Sequence, residues 1–232
     1  GNKNWVLFDL AQYAPDKKTG LFLHVKKIPE GTLELPVNAS SCYKMFSDTE
    51  INDKFSFTKA FDTTDIVTMA NMFEDAKFTS AIYFPTSFNT ENVVDISFMF
   101  AGATVEVPFR FTDAFNAKKA INLKQMFCRT KFKCDFELPE SFSPEMAESF
   151  DSMFSSCIVD GDFKLPRGFS TVKAKTMARM FSGFKFPADF KLPKYFITES
   201  VTNFSAMFCD SVLPTATNII ENFKTSNGTD FS

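Results

Sequence analysis

Histidine, tryptophan and glycine are scarce in this chain of 232 residues, which has one His, one Trp and eight Gly. The one histidine, His24, argues against His-based catalytic triads and His-rich metal sites, and we expect it to be structural or exposed. The glycines do not cluster into a phosphate-binding loop. No apolar run approaches the roughly 18 residues of a membrane-spanning helix. A net charge of −3 favours neither nucleic acid nor an anionic membrane as a partner.

Phenylalanine is abundant in contrast, with 32 residues. The dipeptide Met-Phe recurs seven times with an unbroken step of 27 residues, at Met45-Phe46, Met72-Phe73, Met99-Phe100, Met126-Phe127, Met153-Phe154, Met180-Phe181 and Met207-Phe208. A second lane with the same step contains Phe61, Phe88, Phe115, Phe142, Phe169, Phe196 and Phe223. The Phe excess therefore belongs to a 27-residue repeat, and we expect its Phe and Met side chains to form the core.

Two elements are predicted in each unit. Residues 162–165, Asp-Phe-Lys-Leu, alternate polar and apolar side chains as a strand does, and Pro166 ends the segment. Ile96, Met99 and Phe100 have the spacing of one helix face, and Asn, Ser or Thr stands where a helix N-cap is needed. The pattern predicts an α/β fold: a right-handed solenoid like a leucine-rich repeat, with one short parallel strand and one short helix per unit.

The period divides the chain into three parts. Residues 1–44 fit it poorly and are predicted to form an N-terminal capping segment, since a separate small domain would have a marginal core. Residues 45–213 form the predicted repeat solenoid. Residues 214–232 are a degenerate C-terminal half-repeat or cap, and a piece of a longer array is the alternative.

Two stretches carry a family resemblance, Phe61–Phe73 and Phe88–Phe100. They resemble the repeat of BspA-like leucine-rich-repeat surface proteins of bacteria, Phe-Asp-Thr-x-x-Val-x-x-Met-x-x-Met-Phe. The resemblance covers residues 42–223, although family units are commonly shorter and carry Leu where this chain has Phe. It implies a non-enzymatic protein at the cell surface or outside the cell, for which lipid anchoring through a segment absent from this chain is one route. Its implied partner is a host or cell-surface protein or glycan.

One strand face offers a candidate binding surface, because exposed strand faces of solenoids commonly bind ligands. Asp135, Asp162 and Asp189 recur with the period, and Lys164 and Lys191 follow two residues later to offset their repulsion. A solvated mixed-charge face and a cation-binding Asp ladder are the alternatives. The whole candidate surface consists of Lys54, Ser56, Tyr83, Arg110, Asp135, Glu137, Asp162, Lys164, Asp189 and Lys191.

The cysteines and the missing catalytic motifs complete the expectations. Cys42 and Cys157 fall at packed positions, and Cys128 could pair with Cys134 across a turn. A zinc site is disfavoured because the chain has no C-x-x-C pair. We expect no cofactor, no metal, no nucleic-acid partner and a monomer. The rival to a binding protein is a spacer with no ligand of its own, and an enzyme with a carboxylate site on the strand face comes third.

Overall fold

A computed structural model describes residues 31–35, 39–216, 218–221 and 223–231. Most of the predicted N-terminal cap, 1–44, lies outside these residues, and so does His24. The described residues contain seven strands, each two residues long and each paired in parallel. They are β1 Gly31–Thr32, β2 Glu50–Ile51, β3 Phe55–Ser56, β4 Lys77–Phe78, β5 Thr104–Val105, β6 Lys131–Phe132 and β7 Ile158–Val159.

The strands stack with the period of the sequence. β2, β4, β5, β6 and β7 form one parallel sheet in that order, and each pairing advances the register by 27 residues. A further parallel bridge, between Lys185 and Val212, continues this row, which we call line B. Each 27-residue unit is therefore one coil in a stack, and the predicted parallel stacking of strands is confirmed.

Two more rows of parallel bridges run along the stack. Line A joins eight short polar residues at the 27-residue step: Ser41, Thr68, Asp95, Asn122, Ser149, Thr176, Asn203 and Asp230. Line C contains β3, the bridge between Tyr83 and Arg110, and the bridge between Phe136 and Phe163. Line C is the row that alternation predicted as a strand, whereas lines A and B were not predicted.

The helix predicted for each unit is wrong, because the described residues contain no α-helix. The segment around Met-Phe is a series of turns instead. The N–H of Met99 donates to the C=O of Ile96 at 3.3 Å, three residues back, whereas a helix would bond four residues back. The next N–H, that of Phe100, donates across to the C=O of Met126 in the following coil at 2.9 Å. Alternate N–H groups thus serve the turn and the neighbouring coil.

Left-handed backbone conformations make this series of turns possible. Each Met-Phe segment has two residues with φ between 50° and 70°, four positions apart. These pairs are Lys44 and Asp48, Asn71 and Asp75, Phe98 and Gly102, Gln125 and Arg129, Ser152 and Ser156, Arg179 and Gly183, and Ala206 and Asp210. Residues other than Gly adopt this conformation only occasionally, so the inter-coil hydrogen bonds must hold them there.

Phenylalanine rings fill the interior of the coils. The rings of the Met-Phe pairs form one continuous column, which we call the Phe stack: Phe46, Phe73, Phe100, Phe127, Phe154, Phe181 and Phe208. Neighbouring ring centroids in it are 5.2 to 5.9 Å apart, and their planes differ by 2° to 12°. All these rings are buried except Phe208 at the end, which is half-buried. The predicted Phe and Met core is confirmed.

Buried threonines add side-chain links between coils. Thr90, which is fully buried, accepts hydrogen bonds through Oγ1 from the N–H groups of Asn116 at 2.8 Å and Ala117 at 3.0 Å in the next coil. Asn89, beside it, accepts the N–H of Glu91 at 2.7 Å, as the side chain of an N-cap or an Asx turn does. The residues that were predicted as helix caps therefore cap turns and join coils.

The Thr90 link can be tested by the substitution Thr90→Val, which keeps the shape of the side chain. We expect a loss of about 1–3 kcal/mol in the free energy of unfolding, because two buried N–H groups lose their acceptor. Denaturant unfolding measures the change, and Thr86→Val at an exposed position is the matched control. Equal stability of the two variants would contradict the role of this link.

Candidate functional site

All ten residues of the candidate surface are exposed in the structure. They follow line C along successive coils. The bridge between Tyr83 and Arg110 places these two side chains side by side. The bridge between Phe136 and Phe163 brings the residues that flank each Phe into register, so that Asp135 neighbours Asp162. Parallel pairing therefore unites side chains that are 27 residues apart in sequence.

An aspartate pair and a lysine form the best-defined contact of this surface. Asp135 Oδ1 accepts a hydrogen bond from the N–H of Asp162 at 2.8 Å. Lys164 Nζ lies 3.1 Å from Asp162 Oδ2, and this hydrogen bond, with the charge of Asp162, raises the pKa of the Lys164 ammonium. The charges of Asp135 and Asp189 raise it further. The predicted offset of the Asp ladder by lysine thus exists at Lys164. Lys191 forms no ion pair with any described residue.

The surface at this point is only slightly concave. A depression of about 160 Å³ is bordered by Asp135, Glu137, Glu140, Asp162 and Lys164, with Phe136 and Leu138 beneath. Pockets for small molecules usually hold about 300–1,000 Å³, so this depression suits one side chain or one sugar of a larger ligand. Part of its rim is already held, since the Glu140 carboxylate accepts the N–H of Arg167 at 3.1 Å.

Tyr83 and Arg110 supply the contact residues in the middle coils. Tyr83 is 68% exposed, the largest exposed fraction among the large apolar side chains of the described residues. The Arg110 guanidinium, next to it, forms no ion pair with the described part of the chain. Tyr and Arg are the residue types that most often dominate a protein interface. Together they give this surface one aromatic and one cationic anchor.

A larger groove lies at the C-terminal end of the same surface and was missed from sequence. It has a volume of about 590 Å³ and an apolar floor that includes Phe190, Phe196 and Ile219. Lys191, a predicted site residue, and Lys194 stand at its border. The groove forms where residues 216–221 cease to follow the 27-residue register, and no local motif marks that departure.

A second charged row on line B was also missed. Lys77 Nζ lies 3.9 Å from Glu50 on one side and 3.9 Å from Glu106 on the other. Glu106 in turn lies 3.2 Å from Lys133 Nζ. The sequence signal was an alternation of acidic and basic residues at offsets near the period. Because its charges are paired with each other, this row has less need of an external partner than line C.

The five cysteines are all free, so the disulfide considered between Cys128 and Cys134 is not formed. Cys42 and Cys157 are buried, as predicted, and burial raises the pKa of both thiols far above the ordinary value. Cys134 is half-buried, and burial raises its pKa to about 11. Cys209 is exposed, with its pKa raised by the hydrogen bond to Asp210.

Thiol labelling should follow this order of burial. With the native chain and a soluble thiol reagent, we expect Cys209 to be modified first, because access precedes thiolate reactivity. Cys42 and Cys157 should stay unmodified until denaturant unfolds the coils, when all five react. Mass spectrometry of peptides measures each site. Early modification of Cys157 would contradict the packing described here.

Metal and membrane features were sought in the same residues. Across the described ranges, no three His, Cys, Asp or Glu side chains gather in the arrangement of a metal site, the Asp ladder included. Nor do those ranges contain a helix with the length and hydrophobicity that crossing a bilayer requires. The chemistry on view is that of an exposed polar surface on an aromatic core.

The stacked 27-residue coils define a repeat protein with an elongated polar surface on line C. A family model matches residues 40–160 and again residues 145–232, and its description is "Mycoplasma protein of unknown function, DUF285". These matches cover most of the chain, which therefore belongs to this family. No curated protein and no solved structure matches the chain.

Proposed function

We propose that this chain is a non-enzymatic bacterial surface protein that binds a protein or a glycan through the line C surface. The observation that carries the proposal is that ten polar or aromatic side chains from successive coils are exposed along one row. The BspA-like resemblance supports a role in adhesion. A location outside the cell, with lipid anchoring as one route to the surface, belongs to the same proposal.

The geometry of the surface favours a long ligand over a small one. Parallel strands lie about 4.8 Å apart, so a ligand that runs along the stack meets one new set of side chains at each step. Arg110, Glu137, Lys164 and Lys191 occupy equivalent positions in consecutive coils and alternate in charge over the first three. Such a row selects an extended partner by the order of its charges.

Charge reversal on line C tests the proposal. The line C variant combines Asp162→Lys, Lys164→Glu, Asp189→Lys and Lys191→Glu. We expect about a tenfold or greater loss of binding to an array of host matrix proteins and glycans, with an unchanged melting temperature, because these side chains are exposed. Surface plasmon resonance and thermal unfolding give the two measurements.

A matched control is available on line B. It combines Glu50→Lys, Lys77→Glu, Glu106→Lys and Lys133→Glu, which also reverses four exposed or half-exposed charges in successive coils. We expect this variant to bind as the native chain does. Equal losses in both variants would overturn the assignment of binding to line C.

A spacer with no ligand of its own is the second candidate, favoured by the unbroken bridging of line A from Ser41 to Asp230. Seven steps of about 4.8 Å give a rod of about 34 Å whose neighbouring coils are joined throughout. A spacer predicts no binding on the array, by the native chain or by either variant. Binding by the native chain that only the line C variant loses would exclude it.

A further inference from the structure

The two ends of the Phe stack differ. At the first ring, Phe46, the exposed fraction is 0%, so both sides of that ring are covered. At the last ring, Phe208, the side chain is half-buried. Beyond it lies an apolar cavity of about 580 Å³, whose lining includes Phe204, Met207, Phe208, Ile220, Phe223 and Phe231. One end of the aromatic core is therefore open.

The backbone is also unpaired at this end. In six consecutive coils, the N–H of the stacked Phe donates to the C=O of the next Met at 2.8 or 2.9 Å, from Phe46 and Met72 to Phe181 and Met207. The N–H of Gly183, two positions further on, likewise donates to the C=O of Cys209 at 2.7 Å. The equivalent N–H groups of Phe208 and Asp210 have no acceptor among the described residues.

The requirements of this end are therefore those that each inner coil meets. A ligand must place two carbonyl groups two residues apart opposite the N–H groups of Phe208 and Asp210. It must also place an aromatic ring on Phe208 at the spacing of the Phe stack. We propose that this end binds a Met-Phe turn of the same repeat type, contributed by another polypeptide chain.

The covered start of the stack decides against a second copy of this chain as that partner. Head-to-tail addition would require the Met45-Phe46 turn of the second copy to be accessible. Because Met45 and Phe46 are both 0% exposed, that turn is not free to dock. The partner must instead carry a Met-Phe turn that is not already stacked, as an unfolded or incomplete repeat does. Edge strands with unpaired N–H groups commonly recruit such segments.

A peptide of residues 71–79, Asn-Met-Phe-Glu-Asp-Ala-Lys-Phe-Thr, is the probe, since the carbonyls of its Met72 and Glu74 accept the N–H groups of Phe46 and Asp48 in the structure. On adding it to the ¹⁵N-labelled chain, we expect amide hydrogen exchange at Phe208 and Asp210 to slow about tenfold. The same peptide with Phe73→Ala should give no slowing. Equal effects of both peptides, or no effect of either, would overturn the proposal.

Two further measurements keep the outcome clear. Phe231→Ala removes an exposed ring of the cavity that stacks on Phe204, and it should weaken peptide binding without changing the melting temperature. Undiminished binding by this variant would contradict the site. Sedimentation of the chain alone should show a monomer at concentrations where the peptide binds. A dimer that the peptide dissociates would make a second copy the occupant and so reject the proposed partner.

Discussion

Replacement of Phe127 by Ala is expected to lower the free energy of unfolding by about 3–5 kcal/mol, the range for truncating a fully buried aromatic residue. Phe127 is 0% exposed and stacks between Phe100 and Phe154 at 5.5 Å from each ring. The edge of Phe136 meets it at 5.1 Å. The cavity left behind would interrupt the Phe stack at its centre, where the coils on either side cannot close around it. Denaturant unfolding followed by circular dichroism measures the loss.

Phe208→Ala is the matched comparison at the end of the same column. Phe208 is half-buried and stacks on only one neighbouring Met-Phe ring, Phe181, at 5.9 Å. We expect a loss of about 1–2 kcal/mol, because fewer contacts are removed and solvent already reaches the ring. If the two substitutions cost the same, stability would not depend on continuity of the stack.

The second large effect is expected at Gly161, where the substitution Gly161→Ala should cost about 1–3 kcal/mol. A Cβ atom there would lie 2.7 Å from the backbone N of Asp135 and 2.9 Å from the backbone C of Cys134. Backbone atoms of the preceding coil cannot rotate away as a side chain can, so the two coils must separate. The separation would also break the hydrogen bond from the N–H of Asp162 to Asp135. We therefore expect binding at the line C surface to fall together with stability.

Gly168→Ala separates this effect from the general loss of a glycine. Its nearest backbone neighbour would be the C=O oxygen of Glu140 at 3.4 Å, where a slight shift suffices. We expect a change within about 0.5 kcal/mol and undiminished binding. Thermal unfolding and the ligand array test both variants. A stable and active Gly161→Ala chain would show that the coils tolerate a wider separation.

The repeat, the core and the parallel stacking could be predicted because each depends on a property that recurs at a fixed step. Met-Phe at 27-residue intervals places chemically equivalent residues in every coil, and only a stack buries them all. Alternation at residues 162–165 correctly placed Asp162 and Lys164 on the exposed side. Parallel register then brings Asp135 beside Asp162 without any local signal beyond the period.

The helix could not be excluded in the same way. Turns that alternate in φ return the chain to the core at Ile96, Met99 and Phe100, the same spacing that a helix face shows. Asn and Thr caps serve both structures. The distinguishing feature is a left-handed residue at every fourth position, and Gly102 carries that signal whereas Phe98 hides it. The groove beside Lys191 was missed for the opposite reason, since it lies where the period fails.

The uniform step of the coils also makes length an adjustable property. Every inner coil donates to the next through the same N–H positions, so removing or adding 27 residues leaves each remaining interface as it was. A change of any other length would shift the rings out of their column and leave N–H groups facing side chains. The polar surface can therefore grow or shrink only in whole coils of about 4.8 Å. The size of the partner it spans would be set by coil number, while the identity of that partner would be set by the exposed residues within each coil.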